Sequence, residues 1–299
     1  MVTPEHHRMY ASPVVPLIRF EKAIYTNAEQ FIASVEVANF SGSALQNIVP
    51  IWNAKDSSGK VVFSGELNST TIAIGNGIQI GKIELPLASL TKATELTIEL
   101  QLQGTAFLNR WKIWVYPSKL NLEDKEIVFT TSFNEAMKHL RLGKKVLLNP
   151  DTAQIKGVEG RFAPVFWSPV HFPNQPGTMG LLCNPKHSAF AHFPTDFYSD
   201  WQWWDLITSS KTMIIDSLPK TEPLVRIIDN FYKNRKMANV IEAKVGKGKL
   251  ILASLDLSKN LDKRLPARQL RYSVEQYMKT KDFSPTMELT AQQLAELLK

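Results

Sequence analysis

The sequence predicts two domains, an all-β antiparallel sandwich followed by an α/β open-sheet domain. Three observations lead there. The chain has 299 residues, 44% of them hydrophobic and 21% charged, which is enough to bury one large core or two ordinary ones. From Phe20 to Pro117, short runs rich in β-branched and aromatic residues alternate with Gly, Ser and Asn. After Pro117 the pattern changes to strand, helix, strand, the mark of a βαβ unit.

Residues 1–19 read as an N-terminal extension, and 20–117 as the sandwich. Its expected strands lie in FIASVEVANF, IVPIWNAK, KVVFSGEL, IQIGKIELP and ELTIELQLQ. In the last of these Leu96, Ile98, Leu100 and Leu102 alternate with Thr97, Glu99, Gln101 and Gln103, which predicts one buried and one wet face. Asp56-Ser-Ser-Gly59 supplies hairpin chemistry between two runs.

Residues 118–285 read as the α/β domain. Glu126 to Thr130 is a strand, Phe133 to Leu142 a helix and Lys145 to Leu148 a second strand. Ser132 with Glu135 forms a capping box at the helix start, and Gly143 follows its basic last turn. GLLC at 180–183 and TMIID at 212–216 are short buried strands, and 240–257 is a hairpin turning at Gly246-Lys247-Gly248. A helix from Pro266 to about Met278 closes the domain, with Pro in its first turn. Residues 286–299 read as a short amphipathic tail helix.

Several function classes are excluded. The net charge of +7 is carried by scattered basic residues, so no nucleic-acid partner is expected. No apolar run approaches the ~18 residues of a membrane-spanning helix. One cysteine, Cys183, rules out an internal disulfide framework and a Cys-rich zinc site. Cys183 sits between Leu182 and Asn184 rather than on a glycine-flanked elbow, so it reads as a small buried residue and not a nucleophile. His171, His187 and His192 lie near Asp196 and Asp200 without any dense metal-binding motif, and no metal is expected. Gly246-x-Gly248 lacks a third glycine and lies between two strands, so no cofactor is expected and a turn explains the glycines. The residues after Pro117 are too few for the ~250 of a (β/α)₈ barrel. No catalytic residue is therefore assigned.

The unusual segment is 161–205, rich in Pro and His, with Trp167, Trp201, Trp203 and Trp204, four of the seven tryptophans. Such a stretch is either a plug packed onto the domain or a carbohydrate platform. In the second reading indole faces stack on sugar rings while His171, Asp200, Gln202 or Asp205 bonds the hydroxyls. For Trp201-Gln202-Trp203-Trp204, a strand places Trp201 with Trp203, and a helix places Trp201 with Trp204; the sequence does not choose.

The motifs of that segment, together with RIIDNFYKNRKMANVIEAKVGKGKLILASLDL and LPARQLRYSVEQYM, resemble the C-terminal region of large bacterial glycoside hydrolases. These are of the family 2, sugar-binding, β-galactosidase-like type found in Bacteroidetes. The resemblance runs from about Leu120 to Pro285. The preceding sandwich, closing with NRWKIWVYP at 109–117, is similar to the immunoglobulin-like module that comes before it. The resemblance implies a non-catalytic accessory region whose partner is an upstream catalytic domain of the same polypeptide, and an α/β domain of degenerate flavodoxin or amidotransferase type. It also implies a secreted or periplasmic location and possible contact with oligo- or polysaccharide. MVTPEHHRMYASPVVP has no apolar signal-peptide core, which is consistent with a natural start upstream or with a cytoplasmic protein. The rival reading is an independent esterase or amidase using His171, His187 or Cys183.

Overall fold

The computed structural model describes residues 2–122, 125–162, 178–219, 222–230 and 232–299. The fold is predominantly β, with several sheets, and the chain divides into two compact units, 1–118 and 119–299. No helix among the described residues is long and apolar enough to cross a membrane.

The first unit opens with the short helix α1 (Pro4–Arg8) and continues through ten strands. They are β1 (Val14–Arg19), β2 (Ile24–Thr26), β3 (Gln30–Asn39), β4 (Leu45–Ile48), β5 (Pro50–Asp56), β6 (Val61–Glu66), β7 (Thr70–Ile72), β8 (Gly75–Pro86), β9 (Thr94–Leu102) and β10 (Leu108–Tyr116). One sheet runs β1-β3-β8, a second runs β2-β10-β9-β5-β6, and β4 pairs with β7. The two larger sheets share a core: Phe31, Val35, Ile83 and Leu85 from the first meet Leu96, Ile98, Leu100 and Ile113 from the second. β1 pairs along its whole length with β3, so the sheet begins at Val14, inside the stretch expected to be an extension.

The alternation in β9 places Leu96, Ile98, Leu100 and Leu102 inside, fully buried. The opposite face is drier than expected. Glu99 is 7% exposed because β9 is central and its neighbours reach over it. Lys55 approaches to 3.1 Å and Arg110 to 2.6 Å, and the Asn53 amide donates at 3.2 Å. Burial opposes the charge on Glu99, but these three donors outweigh it and hold the carboxyl below its usual range.

The second unit contains β11 (Ile127–Thr130), α2 (Phe133–Arg141), β12 (Lys145–Leu148), β13 (Gly157–Glu159), β14 (Thr178–Leu182), α3 (Trp203–Thr208), β15 (Lys211–Ile214), β16 (Val225–Asp229), β17 (Met237–Val245), β18 (Gly248–Ala253), α4 (Leu265–Lys279) and α5 (Ala291–Ala295). One eight-stranded sheet follows the path β11-β12-β18-β17-β15-β13, with β16 on β17 and β14 on β16. Among the described strands of this sheet, the parallel pairing expected of an α/β domain joins β11, β12 and β18, and the other strand pairs are antiparallel.

Those three parallel strands are covered on both faces, as parallel sheets require. Val146, Leu148, Leu250 and Leu252 pack with Ala136, Met137 and Leu140 of α2. The alternating Leu147 and Ile251 are also fully buried and point to the opposite side. There α4 lies against β11, the Arg271 guanidinium 3.5 Å from the centre of the Phe129 ring.

The Ser132 hydroxyl caps α2 by accepting from the Glu135 amide, but Glu135 does not reciprocate as a capping box does. Its carboxylate accepts from the Thr130 hydroxyl at 2.6 Å. In the 240–257 hairpin Gly246 has φ 58°, and a Cβ on Gly248 would lie 2.8 Å from the Leu140 backbone. One glycine makes the turn and the other lets α2 approach.

The tail also differs from expectation. Only Ala291–Ala295 is helical within 286–299. Met287 and Leu289 exchange backbone hydrogen bonds with Lys244 of β17, and Met287, Leu289, Leu294 and Leu297 enter the same core as α2. The segment is a structural wall of the unit rather than an appendage.

Candidate functional site

The segment carrying the tryptophans is folded around Thr195, Asp200 and Gln202. Gln202 is fully buried; its amide donates to the Pro194 carbonyl at 2.8 Å and to Asp200 at 3.0 Å. The Asp200 carboxylate also accepts from the Gln202 backbone amide at 3.1 Å. A turn follows in which the Trp204 amide donates to the Trp201 carbonyl, and it leads into α3. The structure thus selects the helical alternative.

In α3 the residues Trp203, Leu206 and Ile207 are buried, the i, i+3, i+4 stripe of a helix facing a core. Trp203 is 0% exposed. Its indole N–H donates to the Thr195 hydroxyl at 2.8 Å, and its ring meets Phe190 and Phe193 edge-on. Trp201 and Trp204 lie on the other side, 70% and 52% exposed. Trp204 stacks on Phe162, with ring centres 5.8 Å apart and planes inclined by 21°. Phe197 and Tyr198, in the same segment, are exposed as well.

Two further contacts fix this surface. Arg264, in the residue position before α4, donates through Nε to both carboxylate oxygens of Asp205, at 3.0 and 2.9 Å. Gly160 brings its backbone against the end of α3: a Cβ there would lie 2.2 Å from the Ile207 carbonyl oxygen. Aromatic side chains on a rigid base present area without losing much conformational freedom on binding.

Of the residues expected to bind sugar, Trp167 and His171 lie outside the described residues. Trp203 and Gln202 are buried and serve as supports, so neither is a contact residue. Asp200 and Asp205 are half-buried and committed to Gln202 and Arg264. Trp201 and Trp204 remain exposed, with Phe162 stacked on Trp204. Neither Phe162 nor Arg264 stands out in the sequence. The first lies in the aromatic segment without a distinguishing neighbour; the second is 59 residues from Asp205, a pairing no local pattern reveals.

Cys183 follows β14, and its thiol donates to the Asp196 carbonyl at 3.3 Å. Burial pushes its pKa up to about 12, so the thiolate needed of a nucleophile is scarce at neutral pH. The Nδ1 atom of His187 accepts from the Ala189 amide at 3.2 Å and caps the turn Ser188–Phe190. His192 is exposed, its ring edge-on to Tyr272.

No curated protein matches the sequence. Among solved structures, a β-glucuronidase of Parabacteroides merdae aligns with 46% of this chain and 21% of its own, at 13% identity and a TM-score of 0.25. A β-glucosidase of Erythrobacter marinus aligns with 34% of this chain and 15% of its own, at 19% identity and a TM-score of 0.25. A family 123 glycoside hydrolase of Clostridium perfringens aligns with 44% and 32%, at 8% identity and a TM-score of 0.26. The chain spans less than a third of each of these enzymes. They are partial resemblances to glycoside hydrolases, and the activities of those enzymes stay with them. Residues 29–117 match a family model described as a domain of unknown function, DUF8488. Residues 127–299, more than half of the chain, match another, DUF8487, and the protein belongs to the DUF8487 family.

Proposed function

We propose that this chain is a non-catalytic accessory region of a glycoside hydrolase, acting in glycan degradation and touching carbohydrate through Trp201 and Trp204. The observation that carries the reading is the division of labour among the indoles. Trp203 anchors the turn with its N–H satisfied, while Trp201 and Trp204 stay exposed. Indole faces on a fixed turn suit the C–H faces of sugar rings.

The accessory role rests on the motifs shared with the C-terminal region of family 2, β-galactosidase-like enzymes. In that reading the first unit is an immunoglobulin-like module and the second a degenerate α/β domain with its reactive elbow lost. An upstream catalytic domain of the same polypeptide is the partner, and the location is secreted or periplasmic. The esterase alternative draws no support from Cys183, whose thiol is protonated and turned to a backbone carbonyl.

The test is titration of the whole chain with galactosides, glucuronides, rhamnosides and pectic oligosaccharides, followed by calorimetry and nuclear magnetic resonance. Binding by at least one of them, weakened about tenfold in Trp201→Ala, supports the platform. Absence of binding across the panel, or binding indifferent to both Trp201→Ala and Trp204→Ala, rejects it. Turnover of a generic ester panel by the isolated chain, lost in Cys183→Ala, would reinstate the rival.

A further inference from the structure

A second feature lies elsewhere in the same unit. A cavity of about 670 Å³ opens between the end of β14, strands β16 and β17, and the residues that begin the tail; its walls include Leu182, Asn184, His187, Arg226, Glu242 and Met287. That volume falls within the range of small-molecule sites.

Glu242 is the informative residue. It stands between Ile241 and Ala243, which belong to the core around α2, so its side chain points to the other face of the sheet. There the Tyr277 hydroxyl of α4 donates to one carboxylate oxygen at 2.7 Å. His187 is set in place by its edge-on contact with Tyr277, ring centres 5.1 Å apart. Since its Nδ1 accepts from the Ala189 amide, its proton sits on Nε2, a donor. The Asn184 carbonyl oxygen accepts from the Lys186 amide at 3.1 Å, which leaves the amide NH₂ as that side chain's donor to a ligand.

Charge narrows the ligand class. Arg226 is paired with Glu222 at 2.5 Å, and both line the cavity with Glu242. One arginine against two glutamates leaves an excess of negative charge, which disfavours phosphates and carboxylates. Donors on His187, Asn184 and Arg226 share the cavity wall with the acceptor Glu242, a combination that hydroxyl groups satisfy because each both donates and accepts. Leu182 and Met287 supply apolar wall for C–H faces.

We propose that this cavity binds a neutral saccharide of one or two rings. The inference stands on the cavity and does not depend on the indole pair, and its test separates the two.

The experiment is saturation-transfer nuclear magnetic resonance on the full chain with cellobiose and lactose, beside glucuronic acid and glucose 6-phosphate at equal concentration. Thr286, at the exposed rim, is replaced in Thr286→Trp to fill the mouth without entering the core. Glu242→Gln removes the charge while keeping the shape. In a chain that carries Trp201→Ala and Trp204→Ala, so that the indole surface is silent, the expected result is transfer to a neutral disaccharide that Thr286→Trp abolishes and Glu242→Gln weakens about tenfold, with the anionic probes weaker throughout. If Glu242→Gln does not fold, Thr286→Trp decides alone. Absence of transfer to either disaccharide, transfer that survives Thr286→Trp, or tighter binding of an anionic probe overturns the proposal. Transfer seen in the parent chain and absent once Trp201 and Trp204 are replaced moves the sugar to the indoles and also overturns it.

Discussion

Truncating each of the three neighbouring tryptophans separates support from surface. Trp203 is fully enclosed, touches Phe190 and Phe193, and donates to Thr195. Trp203→Ala leaves a cavity among those rings and should cost about 3–5 kcal/mol. Trp204 keeps half its surface in water and stacks on one ring, Phe162, so Trp204→Ala should cost about 1 kcal/mol. Trp201 is the most exposed of the three, and Trp201→Ala should fall within about 0.5 kcal/mol of the parent. Urea unfolding followed by far-ultraviolet circular dichroism measures these differences, since a fluorescence signal would change with each indole removed. Hydrogen exchange assigns the transition to the second unit. Two results would refute the reasoning: Trp203→Ala within about 1 kcal/mol of the parent, or Trp201→Ala as costly as Trp203→Ala.

Three further predictions follow from the same packing. A chain ending at Pro285 should not fold its second unit, because Met287, Leu289, Leu294 and Leu297 leave the core at roughly 1.5–3 kcal/mol each, a loss comparable with the whole stability of a domain. A cooperative transition retained in that truncated chain would contradict this. Asp229 is buried, and its burial disfavours charge, but Arg235 and the amides of Asn230 and Arg235 outweigh this and hold its carboxyl below the usual range. The stabilisation it contributes is therefore present above the ordinary carboxylate pKa of about 4 and is lost as the pH falls through the lower folded-state value. Asp229→Asn should remove about 2–3 kcal/mol at neutral pH and flatten the acid limb of a stability-against-pH curve; an unchanged acid limb would count against the assignment. With its thiol raised to about 12, Cys183 should be alkylated by iodoacetamide at about pH 8 far more slowly in the native chain than in urea. Equal rates would show a reactive thiol and restore the nucleophile reading.

What the sequence reveals and conceals here follows from the range of the interactions. β9 is legible in its inward face because alternation is a local property, and α2 because its cap, apolar stripe and terminal glycine lie within a dozen residues. The dryness of Glu99 is not legible, since it depends on Lys55 and Arg110 reaching across from neighbouring strands. The strand β1 hides for the same kind of reason: VVPLIR contains a proline and is short, and its pairing partner begins eleven residues further on. The tail is misleading because its apolar residues suit a lone amphipathic helix equally well, whereas Met287 and Leu289 are used as an extended addition beside β17. The Trp-rich segment is conspicuous in composition, but which indole faces inward depends on a turn closed by Gln202, a residue with no special pattern around it. Glu242 stands between buried apolar neighbours in the run VIEAKV, a local oddity that says nothing of a cavity. Asn184, His187, Arg226 and Met287 join it only in the folded chain.

The arrangement of Trp201 to Trp204 also bears on the choice between plug and platform. A segment whose role is to fill space between layers should bury its largest side chains, since exposing an indole forgoes the burial that stabilises the fold. Trp203 behaves in that way. Trp201 and Trp204 do not, although the same turn that buries Gln202 fully holds them in position. Burying a glutamine is favourable only when its polar atoms are bonded, and here the amide spans the Pro194 carbonyl and Asp200. Asp205 adds a second constraint through Arg264, from the start of α4. Three separate devices thus converge on one short turn: a buried indole with its N–H satisfied, a buried amide and a charged pair drawn from a remote element. On the reading we propose, that bonding serves a surface that contacts another molecule, because a turn fixed in advance loses less entropy on binding than a mobile one.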